Sequence, residues 1–274
     1  IPEEICLRFN PGGTFRIGNT IMGDPGDAKY GMTRAQLSEA LHKMKPDGLK
    51  RFGLHAFLSS NTTDPLYYPA LAKLLFTVGK ELVEETGLRL SFVNLSGGIG
   101  IPYRPDGEKA DLEAIGAGVA EQYQKAFAGT DMPPVAVKSE LGRFMTGPNG
   151  WLVCHVLHEK NIHKRYIGLD ASACDLMRPA MYGAYHHIHI CGKRDVVPDT
   201  LYDVTGCLCE NNDKFAIDRM LPKADLGDVL VIHDTGAHGY SMGYNYNGKL
   251  RSAEVLLCAD GSFKLIRRAE RPMD

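Results

Sequence analysis

The chain has 274 residues, 44% of them apolar, with 31 Lys and Arg against 33 Asp and Glu and a formal net charge of −2. That content supports a sizeable core in one or two domains, and the charge balance argues against a nucleic-acid or anionic-membrane surface. Seven cysteines at scattered spacings suit reduced thiols rather than a disulfide framework, and no signal peptide or long apolar run is visible, so the cytoplasm is the expected compartment.

Short apolar runs at 5–10, 52–58, 90–93 and 135–138 suit buried strands, with helices between them. Thr33 to Gln36 is a capping-box pattern ahead of Leu37, Ala40, Leu41 and Met44, which share one helical face. Asp64 followed by Pro65 reads as an N-cap with proline at the first helical position, opening a helix through Leu71, Leu74, Leu75, Val78 and Leu82 that stops at Gly87. A third helix runs over 111–127, with Leu112, Ile115, Val119 and Tyr123 inward. Strands alternating with helices imply a parallel sheet. Four strands are legible before the texture changes near Pro148, whereas a complete eight-stranded α/β barrel needs about 250 residues. Beyond it the chain turns strand-rich, at 151–159, 165–169, 185–191, 229–233, 253–258 and 263–267, as in a β-sandwich or β-barrel. The expected division is 1–147 and 148–274, with no internal repeat.

The run Cys207-Leu208-Cys209-Glu210-Asn211-Asn212-Asp213 carries the most chemistry. A thiol beside a carboxylate in a polar loop can deliver a proton to a carbanion while the carboxylate holds a substrate ammonium. By itself it reads equally as an incidental pair or half of a metal or redox site. Other segments accompany it: Arg8-Phe9-Asn10-Pro11, Lys29-Tyr30-Gly31, Gly53-Leu54-His55, Ser96-Gly97-Gly98, Glu140-Leu141-Gly142-Arg143, Arg178-Pro179-Ala180-Met181-Tyr182, Asp234-Thr235-Gly236-Ala237 and Asn245-Tyr246-Asn247. In this order, over nearly the whole chain, they resemble the meso-diaminopimelate decarboxylases, a pyridoxal-phosphate (PLP) family that also includes ornithine and arginine decarboxylases.

The resemblance implies the second half of a PLP-binding (β/α)8 barrel followed by a β domain, and decarboxylation of meso-2,6-diaminopimelate to L-lysine. It assigns cofactor contacts to Gly97, Gly98, Glu140, Leu141, Gly142, Arg143 and Tyr246. Glu140 would pair with the pyridine nitrogen, and the glycine amides and Tyr246 would hold the phosphate. Substrate contacts fall to Arg143, Arg178, Tyr182, Glu210 and Tyr246, and the proton donor is Cys209, acting across a homodimer with shared active sites. Cys207 is expected to tolerate serine. Two departures stand out. Phe57 occupies the position of the family's cofactor-stacking histidine, and no lysine has the family's Schiff-base context, as in a member lacking its first half-barrel. His187, His189 and Cys191 would share one strand face as a three-ligand half-site, but the resemblance implies a metal-free strand and no metal is expected. A decarboxylase of another basic amino acid, or a non-catalytic PLP-binding homologue, stays open.

Overall fold

The computed structural model describes residues 2–15 and 24–274. They divide into two compact units, Ile1–Pro102 with Glu108–Phe144, and Tyr103–Gly107 with Met145–Asp274.

In the first unit four strands, β1 (Glu4–Arg8), β2 (Arg51–His55), β3 (Arg89–Asn94) and β4 (Ala136–Lys138), pair in parallel in their chain order. Helices α1 (Arg34–Met44), α2 (Tyr67–Thr86) and α3 (Leu112–Phe127) make the crossovers. Sequential order distinguishes this sheet from a doubly wound one, whose order reverses at a switch point. Same-handed crossovers between successive neighbours stack the helices on a single face, as in an α/β barrel.

Local chemistry explains the helix ends. The Thr33 and Gln36 capping box forms as expected, Asp111 accepts from the Ala114 N–H, and Gly87 ends α2 in the left-handed conformation at φ 67°. Pro65 does not open α2. Asp64 instead accepts from the Leu66 N–H in a preceding turn, and the helix proper starts at Tyr67. The stripes of α1 and α2 point inward, with Leu37, Leu41, Leu71, Leu75 and Leu82 fully buried. On α3 only Ile115 is buried. Leu112, expected inward, is 41% exposed.

The second unit is built on a six-stranded sheet, ordered β7 (Ile188–Ile190), β10 (Val229–Ile232), β5 (Leu152–Asn161), β6 (Arg165–Leu169), β8 (Thr200–Thr205) and β9 (Lys214–Leu221). The long β5 serves two partners in succession, β10 through residues 152–155 and β6 through residues 156–161, which is how one sheet turns a corner. β11 (Glu254–Leu257) and β12 (Phe263–Arg267) form a separate hairpin. Helix α4 (Gly142–Thr146) and helix α5 (Arg178–Tyr182) are single turns.

Sequence reading misses β8 and β9, the hairpin that carries the Cys209 loop, because a carboxylate sits in its middle. Asp203 is 1% exposed on β8. It accepts from Lys164 at 2.8 Å, Lys214 at 3.2 Å and the Asp218 N–H at 3.0 Å, tying β9 and the β5–β6 turn to β8. Burial alone would raise the Asp203 carboxyl, but these hydrogen bonds hold it below the usual carboxylate range. The stabilisation is therefore whole above the unfolded-state value of 3.8 and drains away as pH falls through the lower folded value. Asp203→Ala is expected to destabilise the protein by about 2 kcal/mol, the scale of an unsatisfied buried partner and less than a fully buried broken pair costs, because both lysines reach water. Urea unfolding measures it, and Asp203→Asn, which keeps an acceptor, should cost less.

Candidate active site

In the first unit the expected cofactor residues gather at the carboxyl ends of β3 and β4. The chain leaves β3 through Asn94 and turns at Ser96, whose φ is 57°, and Gly98, whose φ is 115°. The loop is pinned from several sides. Asn94 Oδ1 accepts from the Ser96 N–H at 2.8 Å, the Ser96 carbonyl accepts from the Glu140 N–H at 2.8 Å, and the Gly98 carbonyl accepts from the Thr62 N–H at 2.8 Å. Tyr68 donates its hydroxyl to the carbonyls of Ser96 and Gly97.

Neither glycine can be replaced without displacement. A Cβ at Gly97 would lie 2.8 Å from the Glu140 carbonyl oxygen, and one at Gly98 would lie 2.9 Å from both the Ser59 carbonyl oxygen and the Tyr67 ring. The amides of Gly97 and Gly98 donate to no other described group. Two bare N–H groups on a rigid turn fit a phosphate, since they meet an anion without rearranging.

Glu140 stands beside this loop, and its Oε1 accepts from Asn94 Nδ2 at 2.6 Å. That bond fixes the carboxylate and leaves the second oxygen as an acceptor, as a protonated ring nitrogen requires. Leu141, where the family has proline, packs on the first unit's core, and the Gly142 N–H bonds the Glu140 carbonyl at 2.9 Å in a tight turn. Arg143 then reaches Ser60, Nη2 to Oγ 3.1 Å. The donor set therefore suits PLP: two amides for phosphate, a carboxylate for the ring nitrogen and a guanidinium nearby. Phe57 keeps an aromatic surface at the loop, its ring edge 3.8 Å from where a Gly97 Cβ would be. At the end of β2, burial and then the Arg8 charge lower the pKa of His55.

In the second unit the Cys-Glu loop spans residues 206–213 between β8 and β9, and Cys207, Cys209 and Glu210 are all exposed. Its geometry is set by Asp213, which is 3% exposed. The Asp213 carboxylate accepts from the Ala173 N–H at 2.7 Å and the Leu208 N–H at 2.8 Å, and its backbone carbonyl accepts from the Gly206 N–H. Burial pushes this carboxyl above its usual range. Two N–H groups on two different oxygens need a carboxylate, since an amide offers one acceptor. Asp213→Asn should leave one buried donor unsatisfied at about 1–3 kcal/mol, loosening the loop locally. Hydrogen exchange should accelerate at Ala173 or Leu208 while the first unit is unaffected. Lys249 lies against Cys207, whose sulfur raises the ammonium's pKa.

Arg178 and Tyr182 occupy opposite ends of α5. Tyr182 is 50% exposed, but Arg178 is 4% exposed. The Arg178 guanidinium stacks 4.5 Å from the Tyr103 ring centroid, and its Nη1 donates to His186 Nε2 at 2.7 Å. Nδ1 of His186 donates in turn to the His233 carbonyl at 2.7 Å, which fixes the neutral tautomer that accepts from arginine. Beside them Tyr185 lies between Arg104 and Arg219, each 4.1 Å from its ring centroid. Tyr246 is 46% exposed in a 3-10 turn, Tyr246–Gly248.

Sequence reasoning gives no site role to Asn94, Ser60, Tyr103 and His186, which orient the named residues. Asn94 carries a local signal, as the last residue of a strand two positions before the glycine turn. The strand expected over 185–191 includes His186, yet β7 begins at Ile188, because the His186 carbonyl is taken by Arg219 Nη1 at 2.8 Å instead of a ladder.

Residues 2–147 match the family described as pyridoxal-dependent decarboxylase, pyridoxal binding domain, and residues 144–236 match pyridoxal-dependent decarboxylase, C-terminal sheet domain. Protein TabA of Pseudomonas amygdali pv. tabaci is 39% identical over 98% of this chain and 63% of its own length. The diaminopimelate decarboxylase of Archaeoglobus fulgidus is 32% identical over 97% of this chain and 63% of its own. The solved structure of diaminopimelate decarboxylase from Helicobacter pylori complexed with L-lysine superposes with a TM-score of 0.81 at 27% identity, over 98% of this chain and 64% of that one. The chain thus spans less than two thirds of the length of these relatives.

Proposed function

The chain belongs to the pyridoxal-dependent decarboxylases, and on that premise we propose that the whole protein removes carbon dioxide from the D-configured carbon of meso-2,6-diaminopimelate to leave L-lysine. Bound PLP supplies an electron sink for the pair left on the α-carbon as carbon dioxide departs. Gly97 and Gly98 bind its phosphate through their amides, and Tyr246 adds a phenol donor. Glu140, steadied by Asn94, holds the proton on the ring nitrogen, with Leu141 and Gly142 shaping the turn that presents it. Arg143, which follows that turn, would meet both cofactor and substrate, as the family resemblance implies. Cys209 gives a proton from Sγ to the α-carbon, Glu210 accepts from the distal ammonium, and Arg178 with Tyr182 binds the distal carboxylate.

The observation that carries this reading is the Ser96-Gly97-Gly98 turn, whose two unspent amides stand next to an oriented carboxylate on the neighbouring strand. The pairing of a cation, Arg178, with an acid, Glu210, favours a substrate whose far end is zwitterionic. That is what separates diaminopimelate from ornithine, lysine or arginine. A barrel part over 1–147, a β domain over 148–274 and a cytoplasmic homodimer with shared active sites complete the proposal, resting on the family resemblance.

The test is a comparison of kcat/KM for meso-diaminopimelate, L-ornithine, L-lysine and L-arginine in the whole protein. Preference for meso-diaminopimelate by at least about 100-fold, the scale of a lost charged contact, is expected. Preference for a monocarboxylic diamine would reassign the substrate, and no turnover of any would favour a binding-only homologue.

A further inference from the structure

On the β7–β10 ladder Ile188 faces Ile232 and Ile190 faces Leu230, all four buried, so the intervening residues project from the opposite side of the sheet. His187 and His189, two apart, share that side. The register continues by one pair, with the His233 N–H bonding the His187 carbonyl at 2.9 Å, which puts His233 directly across from His187 and diagonal to His189.

The three imidazoles converge. One ring nitrogen from each lies within 4.8 Å of the others, and all three residues are half-buried. His189 Nδ1 and His233 Nε2 are 2.7 Å apart, and the ring centroids of His187 and His189 lie 5.0 Å and 4.9 Å from that of His233. Cys191, the third ligand that strand alternation suggested, is absent from the cluster. β7 ends at Ile190, Cys191 is exposed in the following turn, and His233 takes its place from the next strand.

We propose that His187, His189 and His233 bind one divalent transition-metal cation of the zinc, cobalt or nickel class, with water completing its shell. Neutral imidazole nitrogens suit these ions, whereas magnesium and calcium demand oxygen ligands that the cluster does not offer. Burial, followed by the mutual proximity of the rings, disfavours protonation of His233 and keeps a lone pair for a metal. The 2.7 Å His189–His233 contact is a hydrogen bond, so metal binding would displace its proton, and tetrahedral coordination at about 2.0–2.1 Å would move the two nitrogens apart by about 0.6–0.7 Å. Arg219 and Arg194 place positive charge beside His187 and His189, which lowers affinity without occupying the nitrogens. A bound ion would clasp the edge strand β7 to β10 and so favour the folded state by mass action.

The experiment titrates tag-free protein with cobalt(II) and zinc(II) at pH 7.5, following cobalt absorption and zinc calorimetry. One ion per chain is expected, tighter than about 100 µM. The cobalt spectrum should lack a thiolate charge-transfer band, and the melting temperature should rise with metal. His233→Gln and His189→Gln should each weaken binding by at least about 100-fold, since losing a direct ligand costs no less than losing the outer-shell partner of one, and should abolish the melting shift. No saturable binding by the wild type, a thiolate band, or unchanged affinity in folded histidine variants would overturn the site.

Discussion

Cys209→Ala in the whole protein is expected to lower kcat for decarboxylation by about 10²–10⁴-fold, the range that a positioned proton donor contributes. Cys209 and Glu210 sit at the tip of a loop whose base is fixed by Asp213 and whose hairpin is fixed by Asp203, so the thiol is exposed on a held backbone. Removing one sulfur from that tip leaves no buried group unsatisfied, and folding stability should change by less than about 0.5 kcal/mol. Cys207→Ser is the control. If the loop serves the partner's cofactor site, a Cys209→Ala variant mixed with a Glu140→Ala variant should regain activity in hybrid dimers, each carrying one intact site. Absence of recovery despite demonstrated subunit exchange would assign the loop to its own protomer.

The second large effect concerns specificity. Arg178→Ala should cost about 2–5 kcal/mol in kcat/KM for meso-diaminopimelate, because a substrate carboxylate would be left without its cation, and much less for L-lysine, which lacks that carboxylate. Arg178 is also held by His186 and Tyr103, so a purely structural role is a real competitor. The two roles separate cleanly: a structural residue would lower both substrates equally and lower the melting temperature as well. His186→Gln should reproduce a fraction of the Arg178→Ala selectivity loss, by freeing the guanidinium from the acceptor that aims it.

The first unit was legible because its signals are local. Capping boxes, glycine stops and apolar stripes each speak within one turn or strand, and they located α1 to α3 and the four parallel strands. What failed was long-range. Asp203 reads as a loop residue until Lys164 and Lys214, distant along the chain, are found to neutralise it, and with it the β8–β9 hairpin disappears from a pattern-based reading. The site followed the same rule. Motif residues such as Gly97 and Glu140 were named from the family pattern, yet Asn94, His186 and Tyr103 orient their partners through contacts that residue spacing does not encode. His233 joins His187 and His189 only through strand register, which is why strand alternation alone proposed Cys191 instead.

The most direct test of the decarboxylase reading is to supply the whole protein and PLP with meso-diaminopimelate carrying a carbon-13 label in the carboxyl group of its D-configured centre. Stoichiometric labelled carbon dioxide and unlabelled L-lysine are expected. Unlabelled carbon dioxide, release from both ends, or an unreacted substrate beside rapid turnover of a monocarboxylic diamine would contradict the assignment of Arg178 and Glu210 as readers of the distal end.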